Sequence, residues 1–148
     1  GSGGFLIKAF EYVREKIESD IQKVKERIKS ELFDERYETL TEKQKSVIDE
    51  QVNAYFAALN TELDTGNLNS RLQNLSSNCI YGTDANPRMA RTAKMNMIMH
   101  GDGHGGVHHH DGLLNVNGVF ESRFDVILTN PPFGSRVEKS LKITEADV

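Results

Sequence analysis

The apolar residues of the amino-terminal part recur at helical spacing. From Phe5 to Phe33 they are three or four positions apart, at Phe10, Val13, Ile17, Ile21, Val24, Ile28 and Leu32. This spacing predicts one amphipathic helix. At about 1.5 Å per residue the helix is roughly 40 Å long, too long to lie along its whole length on a small sheet. We therefore expect its far end to project.

A second helix is predicted to return beside the first. Thr41 and Gln44 have the spacing of a capping box, which opens a helix. The apolar positions that follow keep helical spacing, at Ile48, Val52, Tyr55, Phe56, Leu59 and Leu63. We expect a projecting helical hairpin over Phe10–Leu63. A short helical turn within Leu68–Leu75 and a linker at Ser76–Asn78 should follow it.

The pattern then changes to alternating strands and helices. Short apolar runs at Cys79–Asp84, Val107–His110 and Phe124–Thr129 are typical of strands, the last most clearly. Between the first two runs, Asn86 and Pro87 suit the N-cap and the first position of a helix. This order of elements implies a parallel α/β sheet.

Composition and charge are those of a globular chain. Its 148 residues suffice for one modest domain, and its single cysteine, Cys79, cannot form an internal disulfide. No run reaches the roughly 18 apolar residues of a membrane helix, and Phe5–Ile7 lacks the basic segment that precedes a signal sequence. We expect a cytoplasmic protein. The net charge is −4, so other domains or subunits would supply most of any grip on DNA.

The strongest chemical signal is Asn130-Pro131-Pro132-Phe133, which directly follows the predicted strand Phe124–Thr129. Ligands of open α/β sheets gather at the carboxyl ends of strands. Prolines lack the backbone N–H, so their carbonyls remain as acceptors. The Asn130 side-chain oxygen and a proline carbonyl can then accept hydrogen bonds from both N–H groups of an exocyclic NH2 group. Asn130 would position and stabilise that group, and Phe133 would stack on its base. The alternative is a strand-ending turn with a buried aromatic residue.

Four segments together form an ordered pattern over nearly the whole chain: Gly1–Ile7, Gly82–Asp84, Met89–Met97 and Phe124–Gly134. This pattern resembles the N6-adenine DNA methylase family, in particular the modification subunits of type I restriction-modification systems. The helical hairpin also resembles an insertion in such subunits. The resemblance implies methyl transfer from S-adenosylmethionine to the N6 amine of adenine in DNA.

The resemblance implies a glycine-rich loop that lies against the methionine part of the cofactor. The matching residues are Gly1, Ser2, Gly3, Gly4 and Phe5. Glycine suits this role because it lets the backbone approach a ligand closely.

Two acids complete the cofactor site that the resemblance implies. Asp84, followed by Ala85, matches the acid that binds the ribose hydroxyls. Helix capping is the alternative, although Asn86 already fills that role. Asp111, followed by Gly112, matches the acid near the cofactor's adenine amine, but its setting departs from the family's commoner Gly-Asp pattern. A simple Asp-Gly turn is therefore the alternative there.

The histidines crowd one stretch, at His100, His104, His108, His109 and His110. Such a cluster can bind metal, but methyl transfer to an amine needs none, so we expect a polar loop and strand end without a metal. The four methionines, Met89, Met95, Met97 and Met99, should fill the core against the sheet.

The implied fold is α/β, a partial Rossmann-like S-adenosylmethionine-dependent methyltransferase sheet with a long helical insertion. Residues 1–148 would be a fragment of one catalytic domain. Within it, residues 5–78 form the first helix and the insertion, 79–134 the core with the cofactor and catalytic motifs, and 135–148 a following loop. The implied partners are DNA with a flipped adenine and the specificity and restriction subunits of a type I system.

The family's sheet runs third, second, first, fourth strand, and its first strand precedes the glycine loop. We expect the position of the first strand to be empty in residues 1–148. Backbone groups of the neighbouring strands would then lack hydrogen-bond partners, and each buried unpaired group costs roughly 1–3 kcal/mol of stability. Residues 1–148 alone should therefore bind S-adenosylmethionine very weakly and transfer no methyl group.

Two other functions stay open. Methyltransferases of protein glutamine or ribosomal RNA guanine also use Asn-Pro-Pro before an aromatic residue, although the hairpin and Phe133-Gly134 argue against them. A non-catalytic module whose long helices dock partner subunits is the alternative from another class.

Overall fold

A computed structural model describes residues 1–101, 106–112 and 123–130. The described part is mostly helical with a small parallel sheet, which is compatible with the expected α/β class. Its elements are α1 (Gly4–Leu32), α2 (Glu35–Glu38), α3 (Glu42–Asn60), α4 (Arg71–Asn74), β1 (Tyr81–Asp84), α5 (Pro87–Met99) and β2 (Gly106–His109). A 3-10 turn at Thr61–Leu63 follows α3, and a π turn at Leu75–Cys79 occupies the place of the expected linker.

The long amphipathic helix is confirmed as α1. Its stripe residues Phe10, Ile17 and Ile21 are buried, whereas Leu32 near the far end is 44% exposed. The first two thirds of α1 therefore pack on the rest of the chain, and the last turns extend beyond the core.

The helical hairpin is confirmed, because α3 returns antiparallel to α1 and contacts it. Lys25 Nζ donates to Asn60 Oδ1 at 2.5 Å, and both Lys25 and Lys29 lie over the ring of Phe56. Lys29, which follows Lys25 in α1, lies on Phe56, which precedes Asn60 in α3. The two helices therefore run in opposite directions. Val52 is the one buried residue of α3, and it is not part of the main core. The α3 helix therefore contributes little to that core.

Two helix starts follow from their capping residues. The Thr41 hydroxyl accepts from the N–H of Gln44 at 3.4 Å, and the Gln44 side chain accepts from the N–H of Thr41 at 3.1 Å. This reciprocal pair is the predicted capping box. Asn86 caps α5 by accepting from the N–H of Arg88 at 2.9 Å, and Pro87 takes the first helical position.

The sheet consists of β1 and β2 in parallel. Their register runs from the Tyr81–Gly106 pair to the Asp84–His109 pair. Both strands were predicted, with ends that differ by one or two residues. They are adjacent, as the implied order of the second and third strands requires. A Cβ atom at Gly106 would collide with the Ile80 carbonyl, so glycine allows this close pairing.

The main core lies where the start of α1 meets α5, β2 and the π turn. It contains Phe10, Ile17, Ile21, Leu75, Ala93, Met97 and Val107. Among the described helices, none is long and apolar enough to cross a membrane.

The expectation that all four methionines of α5 fill the core is wrong. Met97 is fully buried, but Met89, Met95 and Met99 are 37%, 59% and 76% exposed. Because a helix turns by about 100° per residue, only the positions in line with buried Ala90 face the sheet, and these are Ala93 and Met97.

The strand predicted at Phe124–Thr129 is also wrong. Residues 123–130 adopt no regular secondary structure, and Val126, Ile127 and Leu128 are 71%, 79% and 59% exposed. A strand requires a hydrogen-bonded partner. In the described part of the chain β1 and β2 pair only with each other, so this apolar segment has no strand partner there.

Candidate functional site

The glycine-rich segment and Asp84 meet at the carboxyl end of β1. The amino group of Gly1 contacts Asp84 Oδ2, and the backbone N–H of Asn86 donates to Asp84 Oδ1 at 2.8 Å. These two donors lower the pKa of the Asp84 carboxyl group below its usual value. Asp84 therefore presents a carboxylate that stays ionised at neutral pH.

Gly3 turns the chain from this edge into α1. Its φ of 85° lies in the left-handed region, which glycine adopts without steric cost. A Cβ atom at Gly3 would lie 3.1 Å from Ala93 Cβ, so the loop sits closely on α5. The Ser2 carbonyl accepts from Asn96 Nδ2 at 3.0 Å and anchors the loop to the same helix.

Gly4 and Phe5 belong to the first turn of α1 rather than to a free loop. Phe5 is 57% exposed, while the next residue, Leu6, turns inward onto β1. A Cβ atom at Gly82 would lie 2.5 Å from Leu6 Cδ1. Gly82 thus lets the start of α1 pack directly on the strand that carries Asp84.

Ala85, Asp111 and Gly112 lie at the same edge of the sheet. Ala85 follows Asp84, and its carbonyl faces the His109 ring at the end of β2, with 3.1 Å to Nε2. A Cβ atom at Gly112 would lie 2.7 Å from Thr83 Oγ1. Asp111, half-buried, precedes Gly112 and is therefore held beside the end of β1.

Asn130 is exposed and lies outside the sheet. In the described part no hydrogen bond joins it to the glycine segment or to Asp84. Pro131, Pro132 and Phe133 lie outside the described residues. The segment before Asn130 is anchored by its start, because the Phe124 ring meets the Tyr81 ring edge-on at 5.6 Å between centroids. The structure thus brings the candidate cofactor-binding residues together but does not place Asn130 beside them.

Several residues that shape this edge were missed by sequence reasoning. Ala93 and Asn96 hold the glycine segment, Thr83 packs on Gly112, and His109 faces the Ala85 carbonyl. The recurrence of Ala90, Ala93 and Met97 on one face of α5 is the signal that could have located the close contact with Gly3, since small residues permit close approach.

The histidines take separate partners. His100 Nδ1 lies 3.1 Å from Glu11 Oε1, His109 faces the Ala85 carbonyl, and His110 Nδ1 lies 2.8 Å from the Asp111 carbonyl. Among residues 1–101, 106–112 and 123–130, no group of three potential metal ligands is close enough to hold an ion.

Comparison with known proteins gives one result. Residues 1–147 match the family model described as N-6 DNA Methylase. No curated protein and no solved structure matches the chain.

Proposed function

The chain belongs to the N-6 DNA methylase family, a family of DNA methyltransferases, and from this premise we propose that it transfers a methyl group from S-adenosylmethionine to the N6 amine of adenine. The observation that carries the proposal is the position of the glycine segment at the carboxyl end of β1. Gly1 contacts the Asp84 carboxylate there, and Gly3 lies on Ala93 of α5. In open α/β sheets this is the edge where ligands bind.

The residues at this edge fit S-adenosylmethionine. Asp84 carries an ionised carboxylate, which accepts hydrogen bonds from two hydroxyl groups well. The backbone of Gly3 and Gly4 has no side chain to block a ligand, and Gly4 has open space where a Cβ atom would be. Asp111 lies at the same edge, and a carboxylate accepts hydrogen bonds such as those of an adenine amine. These residues would hold the ribose, the methionine part and the adenine of the cofactor.

The chemistry divides between the cofactor and the chain. S-adenosylmethionine supplies, when bound, an electrophilic methyl group. The Asn130 side-chain oxygen accepts a hydrogen bond from one N–H of the target amine, and a carbonyl of Pro131 or Pro132 accepts a hydrogen bond from the other. The two bonds orient the nitrogen lone pair. Phe133 stacks on the base. The target adenine leaves the duplex to reach these groups.

The biological setting is also part of the proposal. The chain would be a cytoplasmic modification subunit of a type I restriction-modification system. A specificity subunit would recognise the DNA target sequence, and a restriction subunit would act beside them. The net charge of −4 supports this arrangement, because an acidic chain needs basic partners to hold DNA phosphates.

Methyl transfer to DNA tests the proposal. The holoenzyme is incubated with S-adenosylmethionine carrying an isotopic methyl label and, in parallel reactions, with unmethylated DNA, a release-factor protein or ribosomal RNA. The labelled nucleosides and amino acids are separated and identified by mass spectrometry. We expect label on N6-methyladenine. Label on cytosine, on a protein glutamine or on ribosomal RNA would refute the adenine assignment. No transfer to any acceptor, with the hairpin still able to capture partner subunits, would favour a non-catalytic assembly module.

A further inference from the structure

His109 makes a contact that the proposed reaction does not use. It ends β2 and pairs in register with Asp84, and its Nε2 lies 3.1 Å from the Ala85 carbonyl oxygen. A carbonyl oxygen only accepts hydrogen bonds, so Nε2 must carry the proton that forms this bond. The contact joins residues 24 positions apart in the chain.

The carbonyl of Ala85 lies in the turn that presents Asp84. On one side the N–H of Asn86 donates to Asp84 Oδ1 at 2.8 Å, and on the other the N–H of His110 donates to the Asp84 carbonyl at 3.2 Å. Both bonds fix Asp84 itself. The ring of His109 restrains the next peptide unit, so the turn is held from the neighbouring strand as well as from within.

We infer that His109 is a positioning residue, whose Nε2–H bond to the Ala85 carbonyl fixes the turn that orients Asp84 and Ala85 toward the cofactor. Ala85 and Asn86 form a short exposed connection between β1, which ends at Asp84, and α5, and an unrestrained connection would have to be ordered when the cofactor binds. Ordering before binding preserves affinity. The inference rests on the proposed function only for the role of Asp84.

Two substitutions of His109 separate the hydrogen bond from the bulk of the ring. His109→Gln keeps an N–H donor at the same number of bonds from Cα, whereas His109→Met has similar length and no donor. His108→Met is the control. His108 is the preceding residue of β2 and is exposed, and its side chain makes no hydrogen bond to any described residue.

The first readout needs no cofactor. We expect His109→Met to speed amide hydrogen exchange at Asn86 roughly three- to tenfold. This factor corresponds to the net free energy of one neutral hydrogen bond. His109→Gln should restore most of the protection, and His108→Met should leave it unchanged. Unchanged exchange at Asn86 in His109→Met would overturn the inference.

The second readout is the kinetics of the holoenzyme. His109→Met should raise the KM for S-adenosylmethionine by a similar factor with little change in kcat, and His109→Gln should reverse the rise. Faster exchange with an unchanged KM would overturn the link between the turn and the cofactor. Failure of the unsubstituted holoenzyme to bind S-adenosylmethionine would instead refute the proposed function, and the exchange at Asn86 would still decide whether His109 fixes the turn.

Discussion

Gly3 lies so close to Ala93 that a side chain at Gly3 would press against it. A Cβ atom added to Gly3 would lie 3.1 Å from Ala93 Cβ and 3.2 Å from Ala93 Cα. The same glycine has a φ of 85°. The glycine segment is therefore seated on α5, and this contact sets how it approaches Asp84.

Substitution of Gly3 tests the contact. Gly3→Ala should lower the free energy of unfolding by about 1–2 kcal/mol, because a side chain in the left-handed region is strained and Ala93 would have to move by a few tenths of an ångström to admit it. Thermal or urea unfolding measures the change. Gly4→Ala is the matched control, since Gly4 lies in the first turn of α1 with nothing within 4 Å of its added Cβ, and it should be neutral or stabilising. Equal effects of the two substitutions would contradict this account.

Substitution of Asp84 tests the cofactor site. Asp84→Ala in the holoenzyme should weaken S-adenosylmethionine binding by about 2 kcal/mol, as expected for lost hydrogen bonds to a charged group. The fold should persist because Asn86 still caps α5. Calorimetry gives the affinity and circular dichroism the fold. Unchanged affinity would remove Asp84 from the site.

Substitution of Asn130 tests the catalytic assignment. In the holoenzyme Asn130→Ala should cut the methylation rate by a factor of hundreds, because one preorganised contact supplies roughly 3–4 kcal/mol. The KM for S-adenosylmethionine should change little. Steady-state methyl transfer measures both, and near-normal turnover would show that another group orients the amine.

The tip of the hairpin should respond to alkaline pH. Tyr37 Oη donates to Asp49 Oδ1 at 2.8 Å, and this bond raises the pKa of Tyr37 from 10.0 to about 12. A raised pKa stabilises the fold below pH 10, and that contribution is lost as the pH rises through 12. Tyrosinate absorbance should include a titration near pH 12 that Asp49→Asn shifts downward. An identical titration curve for Asp49→Asn would exclude the bond.

Local patterns in the sequence were enough to predict the three longer helices and the strands β1 and β2, but not every element. The capping residues Thr41 and Asn86 and the helical stripe of α1 are set by neighbours three or four positions away, and the structure contains each of them. The parallel pairing of β1 and β2 followed from the helix between them, since a helical crossover joins parallel strands.

Contacts between distant residues could not be read in this way. Phe124–Thr129 has the composition of a buried strand, yet strand formation depends on a partner elsewhere in the chain, and Val126, Ile127 and Leu128 are exposed here. The contact of Gly3 with Ala93 joins residues 90 positions apart, and the hydrogen bond from His109 to Ala85 joins residues 24 positions apart. The resemblance named Asp84 and the glycine segment, and the structure supplied the residues that hold them.

Binding of S-adenosylmethionine, mapped residue by residue by nuclear magnetic resonance, tests the central claim most directly. Isotope-labelled residues 1–148 are titrated with a large excess of S-adenosylmethionine, so that weak binding is also detected. The account predicts shifts concentrated at Gly3 and Gly4, at Asp84 and Ala85, and at Asp111 and Gly112, and their loss in Asp84→Ala. Shifts confined to the hairpin, or no shifts at these positions, would contradict it.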